Sequence, residues 1–238
     1  MVSLPAATGA AEIDMGRTML GWIGAKTGRP IWGEASAGMA QDPDGVMTGL
    51  VSGTRVATAT GWRTVEALTA GDRVLTFDNG LQPLGNVTRQ PLWTGNHACP
   101  RQFWPLELAC GVLGNRGPLT IMPHQAVMLE SDMAETIWGD PFALLPAAAL
   151  DGVDGVSRVP PAPDAEVTVL HFNHEQVVFA EHGLMFLCPS SRDLLDYALG
   201  FDEGSLYSVL PLCEARRLTM GLEAAAVFAP NDALLASA

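Results

Sequence analysis

The chain has 238 residues, 48% of them hydrophobic and 16% charged, which is enough to bury a core as one domain or two small ones. Its formal net charge is −13, and all but one of its 13 basic residues are Arg, so phosphate backbones and anionic lipid are excluded as natural partners and no nucleic acid is expected. No apolar run approaches the ~20 residues of a membrane span. The first residues, Met1 to Ala7, lack a basic region followed by an apolar one, so the expectation is a cytoplasmic protein, or one exported without a Sec-type signal. Four scattered cysteines, Cys99, Cys110, Cys188 and Cys213, form no C-x-x-C pair and are expected as buried thiols of a reduced compartment, with one disulfide left open.

Residues 1–48 are rich in Gly, Ala, Ser and Met. Ile13, Met15, Met19, Leu20 and Ile23 are spaced to line one side of a short helix, and Trp22 and Trp32 are expected to dock on the core. Gln41 to Gly45 is a turn by its chemistry, since Pro43 presets φ and Gly45 permits a positive one. From Thr54 the pattern changes to strands. Thr54 to Ala59 alternates and ends at the Thr60–Gly61 turn signal. Val65 to Leu68, with Ala70, Gly71 and Asp72 behind it, reads as a turn feeding a strand over Arg73–Phe77. Asp78, Asn79 and Gly80 close that strand as a hairpin. Further strands are predicted over 81–93 and 102–109.

Gly111 to Asn115 reads as a turn, and Val127 and Leu129 follow Pro123 and His124 at strand spacing. Residues 131–165 read as a loop carrying a short helix in the apolar cluster Phe142–Leu150, bounded by Pro141 and Gly152. Asp132, Glu135, Asp140, Asp151 and Asp154 are placed in that loop as a solvated face, since their spacing fits no EF-hand. Residues 167–172, 175–181 and 183–187 read as a hairpin and a further strand. Ser190 and Asp193 fit a capping box ahead of Leu194, Leu195, Ala198 and Leu199, with Gly200 at the end. A second helix is predicted to open at Pro211, run through Cys213–Met220 and stop at Gly221.

Three stretches carry a shared signature. The first is 49–80, with Gly53-Thr54, Val65 to Leu68, Gly71-Asp72, Val74-Leu75-Thr76 and Asp78. The second is 111–130, with Leu113-Gly114-Asn115 and Pro123-His124. The third holds Leu170-His171-Phe172, His174-Glu175 and Ala180-Glu181. In this order they resemble the Hint (hedgehog/intein) domain, in its short alphaproteobacterial form. The resemblance implies a mostly β fold, a Hint-like curved barrel or horseshoe over residues 49–189. It leaves 1–48 as a partly ordered N-terminal segment and 190–238 as a short C-terminal helical extension.

The resemblance also implies a chemistry. Hint domains cut the peptide bond before their first residue: a Cys or Ser side chain attacks the preceding carbonyl, and a Thr and a His spaced T-x-x-H polarise it and protonate the leaving amine. Counting back from Gly53-Thr54, the nucleophile position falls on Gly49, which has no attacking atom. His124 stands at the family His, but three residues before it is Ile121. Thr120 comes one position too early and would face the other way on a strand. Moving the nucleophile to Ser52 or Thr54 breaks the spacing. Asn cyclisation is not available, because there is no terminal His-Asn pair; Asn231, between Pro230 and Asp232, reads as a helix cap. Three readings follow. The first is a degenerate Hint domain without self-cleavage, kept as a protein-binding or assembly module. The second is an autoprocessing domain with a displaced nucleophile and His124 as acid. The third is an accessory of exported Ca²⁺-repeat proteins, beside which related domains sit. A Gly49→Cys variant is expected to restore cleavage if the His124 pocket is competent. His171 and His174 point to opposite faces of a strand, and they, His97, Cys99 and His182 read as structural, so neither cofactor nor metal is expected.

Overall fold

The structure is a computed structural model and describes residues 44–190 and 207–228. Short strands dominate because apolar and polar residues alternate in brief runs that Gly, Pro, Asn and Asp interrupt. In β4 (Arg73–Thr76), Val74 and Thr76 are buried while Arg73 and Leu75 are exposed.

The largest sheet has eight strands. Its order runs β10 (Phe142–Pro146), β9 (Ala126–Glu130), β14 (Met185–Cys188), β13 (Gln176–Phe179), β4, β2 (Arg55–Thr58) and β3 (Gly61–Thr64), with β5 (Gly80–Pro83) on the side of β4. One three-stranded sheet joins β1 (Leu50–Val51), β12 (Glu166–His171) and β6 (Asn86–Pro91), and another joins β11 (Val156–Arg158), β7 (Leu106–Leu108) and β8 (Leu119–Ile121). The fold is thus mostly β, with a C-terminal helix. The end strands of the largest sheet, β3 and β10, do not pair with each other, so this sheet stays open. The main core gathers inward residues from all three sheets, among them Val74, Leu145, Phe186, Leu170, Leu108 and Ile121.

The family signature proves to be turn chemistry. The β4–β5 hairpin closes through residues 77–79, and Gly80, which opens β5 opposite Thr76, sits at φ +62°. The Asp72 carboxylate accepts the Thr69 N–H at 2.8 Å and the Thr69 hydroxyl at 3.1 Å, and it pairs with Arg63 at 3.1 Å. The Thr69 backbone bond is the main reason its pKa lies below the usual value. Buried Asn115 pins its loop by donating to the carbonyls of Ala109 and Gly117 and accepting the Leu113 N–H.

Several expectations are corrected. The apolar run after Pro141 is not a helix. Phe142–Pro146 is strand β10, paired along its length with β9, and Ala147–Leu150 is a 3₁₀ turn. A short apolar run suits a strand buried on both faces as well as a helix. The helix of this region is α1 (Asp132–Trp138), ended by Gly139 in the left-handed conformation, so Asp132 and Glu135 lie in a first helical turn, not a loop. Their charge suits the helix N-terminus. Only Leu106–Leu108 of 102–109 is a strand, because Arg101–Phe103 forms a 3₁₀ turn behind Pro100. Residues 81–93 break at Leu84 and Gly85, and Gly61–Thr64 is an extra strand that reverses at Gly61, φ +103°. The C-terminal helix α2 (Leu212–Phe228) does not stop at Gly221; Ala224, Ala225 and Ala226 follow and favour continuation. The helix over Ile13–Ile23, the docking of Trp22 and Trp32, the first C-terminal helix and the cap at Asn231 lie outside the described residues.

The C-terminal residues return onto the sheet. The Leu210 N–H donates to the Leu144 carbonyl at 2.8 Å, Ala215 and Leu218 of α2 enter the main core, and the Thr219 hydroxyl donates to the Ala149 carbonyl at 3.2 Å. Tyr207 is buried beside Val177 and Leu187, and its hydroxyl donates to the Asp78 carboxylate. Burial, and then the bond to Asp78, push its pKa well above the usual tyrosine value. The raised pKa means stability that is complete below the ordinary tyrosine range and lost as pH rises beyond it. Of the two tyrosines, one is expected to ionise only with alkaline unfolding in an ultraviolet titration, and Tyr207→Phe should remove that late step.

Candidate functional site

The stretch before β1 runs along the Pro123–Gln125 turn. The Val46 N–H donates to the Leu92 carbonyl at 3.0 Å, and the His124 N–H donates to the Met47 carbonyl at 2.8 Å. Two residues on, the Gly49 N–H donates to Gln125 Oε1 at 3.0 Å. Leu50 then opens β1 opposite Thr168 of β12. The fold therefore brings the Thr48–Gly49 peptide beside the backbone of His124, although 75 positions separate Gly49 from His124 in the sequence (124 less 49).

Gly49 is buried at φ +116°, in the region that favours glycine. A Cβ there would stand 2.5 Å from Val167 Cγ1 and 3.1 Å from Val169 Cγ2. So both the backbone and the packing around Gly49 select the residue without a side chain.

Gln125 is the site residue that sequence reasoning missed. It is 2% exposed, and its amide is fully used: Oε1 accepts Gly49, and Nε2 donates to the carbonyls of Leu187 at 2.8 Å and Ala126 at 3.1 Å. A signal existed. Gln125, Val127 and Leu129 share strand parity, so a polar residue stood on an inward-facing row where burial demands partners.

His124 is half-buried. Burial, and then the Arg158 guanidinium, push its pKa below the usual imidazole value, so the ring is neutral at pH 7. Arg158 is itself held by Asp151 at 2.6 Å and by the Trp104 carbonyl at 3.2 Å. A depressed histidine pKa adds stability that is complete above the unfolded value and lost as pH falls through the folded one. In an NMR titration the His124 ring is expected to protonate below the usual imidazole range, and Arg158→Met should move its midpoint upward.

Thr120 stands elsewhere. It pairs with Glu107 across β7 and β8 and lines a surface groove with Ser52, Thr54, Glu107 and Glu181, while Ile121 points into the core. His124 does not line that groove. The Ser52 hydroxyl donates to the Glu166 carbonyl at 3.2 Å. Three of the other histidines have structural surroundings, and His174 is exposed in the turn between β12 and β13. His171 Nε2 is 3.1 Å from the Thr88 hydroxyl, the His97 ring meets Trp93 edge-on at 5.1 Å, and the His182 ring lies against Gly117. The four cysteines are free thiols. Cys188 is buried and its pKa is pushed up to about 12, Cys99 is half-buried, and Cys110 and Cys213 are exposed, contrary to the expectation of uniformly buried thiols.

With this geometry in hand, residues 48–185 match the family model described as the Hint domain. Among solved structures, the chain is similar to a bacterial intein-like domain from Clostridium thermocellum, at 14% identity and TM-score 0.39, over 59% of this chain and 99% of that one. It is also similar to the gp41-1 intein, at 10% identity and TM-score 0.37, over 60% of this chain and 98% of that one. No curated protein matches it.

Proposed function

Because the chain belongs to the Hint domain family, we propose that it is a member that does not cut itself at Thr48–Gly49 and serves as a protein-binding or assembly module. The observation that carries this reading is the environment of Gly49. Cleavage of the preceding bond needs a thiol or hydroxyl on the first residue and an acid to protonate the departing nitrogen. Gly49 supplies no nucleophile, and its surroundings leave no room for one. Its N–H is held by an amide oxygen, which accepts a proton bond and cannot act as the acid. The contact of His124 with this stretch is through its backbone N–H, to Met47. Ser52, the first hydroxyl after that bond, already donates to the Glu166 carbonyl. A net charge of −13 favours protein surfaces over nucleic acid as partners.

The full chain, incubated with and without hydroxylamine or a thiol, tests this on a denaturing gel, since both reagents intercept an activated acyl group. One undivided band is expected in every lane. A fragment ending at Thr48 would overturn the reading.

A further inference from the structure

The outer face of the β3–β2–β4–β5 part of the large sheet carries an apolar row. Trp62 of β3 pairs with Ala57 of β2, and Leu75 of β4 pairs with Leu81 of β5. The register that sets Thr58 opposite Val74 brings Ala57 beside Leu75, so the four side chains form one line across four strands. Trp62 is 49% exposed and Leu75 is 37% exposed. The solvent face of an antiparallel sheet is ordinarily polar. A half-exposed tryptophan in such a row is the kind of side chain that anchors interfaces.

Two arginines flank the line. Arg55 lies two residues from Ala57 on β2, and Arg73 lies two residues from Leu75 on β4. Because the strands run antiparallel, the two stand on opposite sides of the row. Their hydrogen bonds go to main-chain carbonyls, Arg55 to Trp62 at 3.5 Å and Arg73 to Leu81 at 3.2 Å. Among the described residues neither has a carboxylate partner, although the chain carries 26 acidic residues and only 13 basic ones. Most of the five donors on each guanidinium remain available.

We propose that this face docks a partner protein through a short segment with bulky apolar residues at its centre and Asp or Glu on both sides. The apolar centre covers Trp62 and Leu75, and the flanking carboxylates pair with Arg55 and Arg73. Apolar burial supplies affinity, and the guanidiniums fix position and select against basic segments. This gives the binding role proposed above its partner chemistry; it rests on that role and is independent of cleavage.

The test uses the full chain and two fluorescein-labelled heptapeptides, Glu-Glu-Leu-Phe-Leu-Glu-Glu and its Lys counterpart, followed by anisotropy. The net charge of the protein would draw the Lys peptide non-specifically, so a preference for the Glu peptide has to come from a local site. The Glu peptide is expected to bind about tenfold or more tightly than the Lys peptide, and to weaken with salt. Joint Arg55→Glu and Arg73→Glu should abolish the preference. Trp62→Ala, a surface change that keeps the fold, should reduce affinity about tenfold or more. Equal or stronger binding of the Lys peptide, no binding of either, or wild-type affinity in the Trp62→Ala chain would overturn the proposal. So would self-association in sedimentation that Trp62→Ala abolishes, because the occupant would then be a second copy. Loss of peptide binding in an uncut chain leaves the non-cleaving reading standing.

Discussion

Gly49→Cys is expected to give a less stable protein that still does not separate at Thr48–Gly49. An L-residue at φ +116° carries a backbone strain of about 1–3 kcal/mol. Its Cβ would stand 2.5 Å from Val167 Cγ1, and overpacking of that kind costs a further ~1–3 kcal/mol. Together these remove about 2–6 kcal/mol from a total that for such domains is about 5–15 kcal/mol. Either β1 shifts away from β12 or the protein populates unfolded forms; in neither case is the sulfur held against the Thr48 carbonyl. The urea midpoint and a gel measure both halves of the outcome. Gly49→Ala should lower the midpoint by a similar amount, because the two variants share the offending carbon. A Cys variant with wild-type stability would show that packing does not select glycine there.

Gln125→Leu is expected to cost about 2–4 kcal/mol with little change in side-chain volume. It leaves the Gly49 N–H and the Leu187 carbonyl buried without partners, and each such group costs about 1–3 kcal/mol. The same change frees the residues before β1, since Gln125 ties Gly49 to β14. The urea midpoint should fall, and amide exchange at Gly49 should accelerate by more than at Val178 in β13. Uniform acceleration at both amides would mean that Gln125 stabilises the whole domain without specifically holding the Thr48–Gly49 peptide.

How much of this was legible in the sequence depended on the kind of signal. The Asp78, Asn79 and Gly80 turn could be read directly, because few residue types allow that backbone and the flanking strands alternate cleanly. The run from Phe142 to Leu150 could not, since continuous apolar residues carry no period that separates a strand from a helix. The end of α1 was nevertheless written in Gly139, which takes the left-handed conformation there. Gly49 was legible as a residue without a side chain at the position where the resemblance places a nucleophile. That its φ and its approach to Val167 also require glycine was not, because a hydrogen atom looks the same under either cause. The role of Gln125 was only half legible: its strand parity with Val127 and Leu129 pointed inward, but the partners of its buried amide lie far away in sequence, at Gly49 and Leu187. The apolar row on the outer face depends on cross-strand register, which joins Trp62 to Leu81 only once four strands are in place.

The most direct measurement is the intact mass of the purified full chain after prolonged incubation with a thiol at neutral and mildly alkaline pH. A single mass is expected, that of the undivided polypeptide, and this is the result that fits a chain without self-cleavage. Two masses that sum across the Thr48–Gly49 junction, or a thioester adduct on the shorter piece, would contradict it.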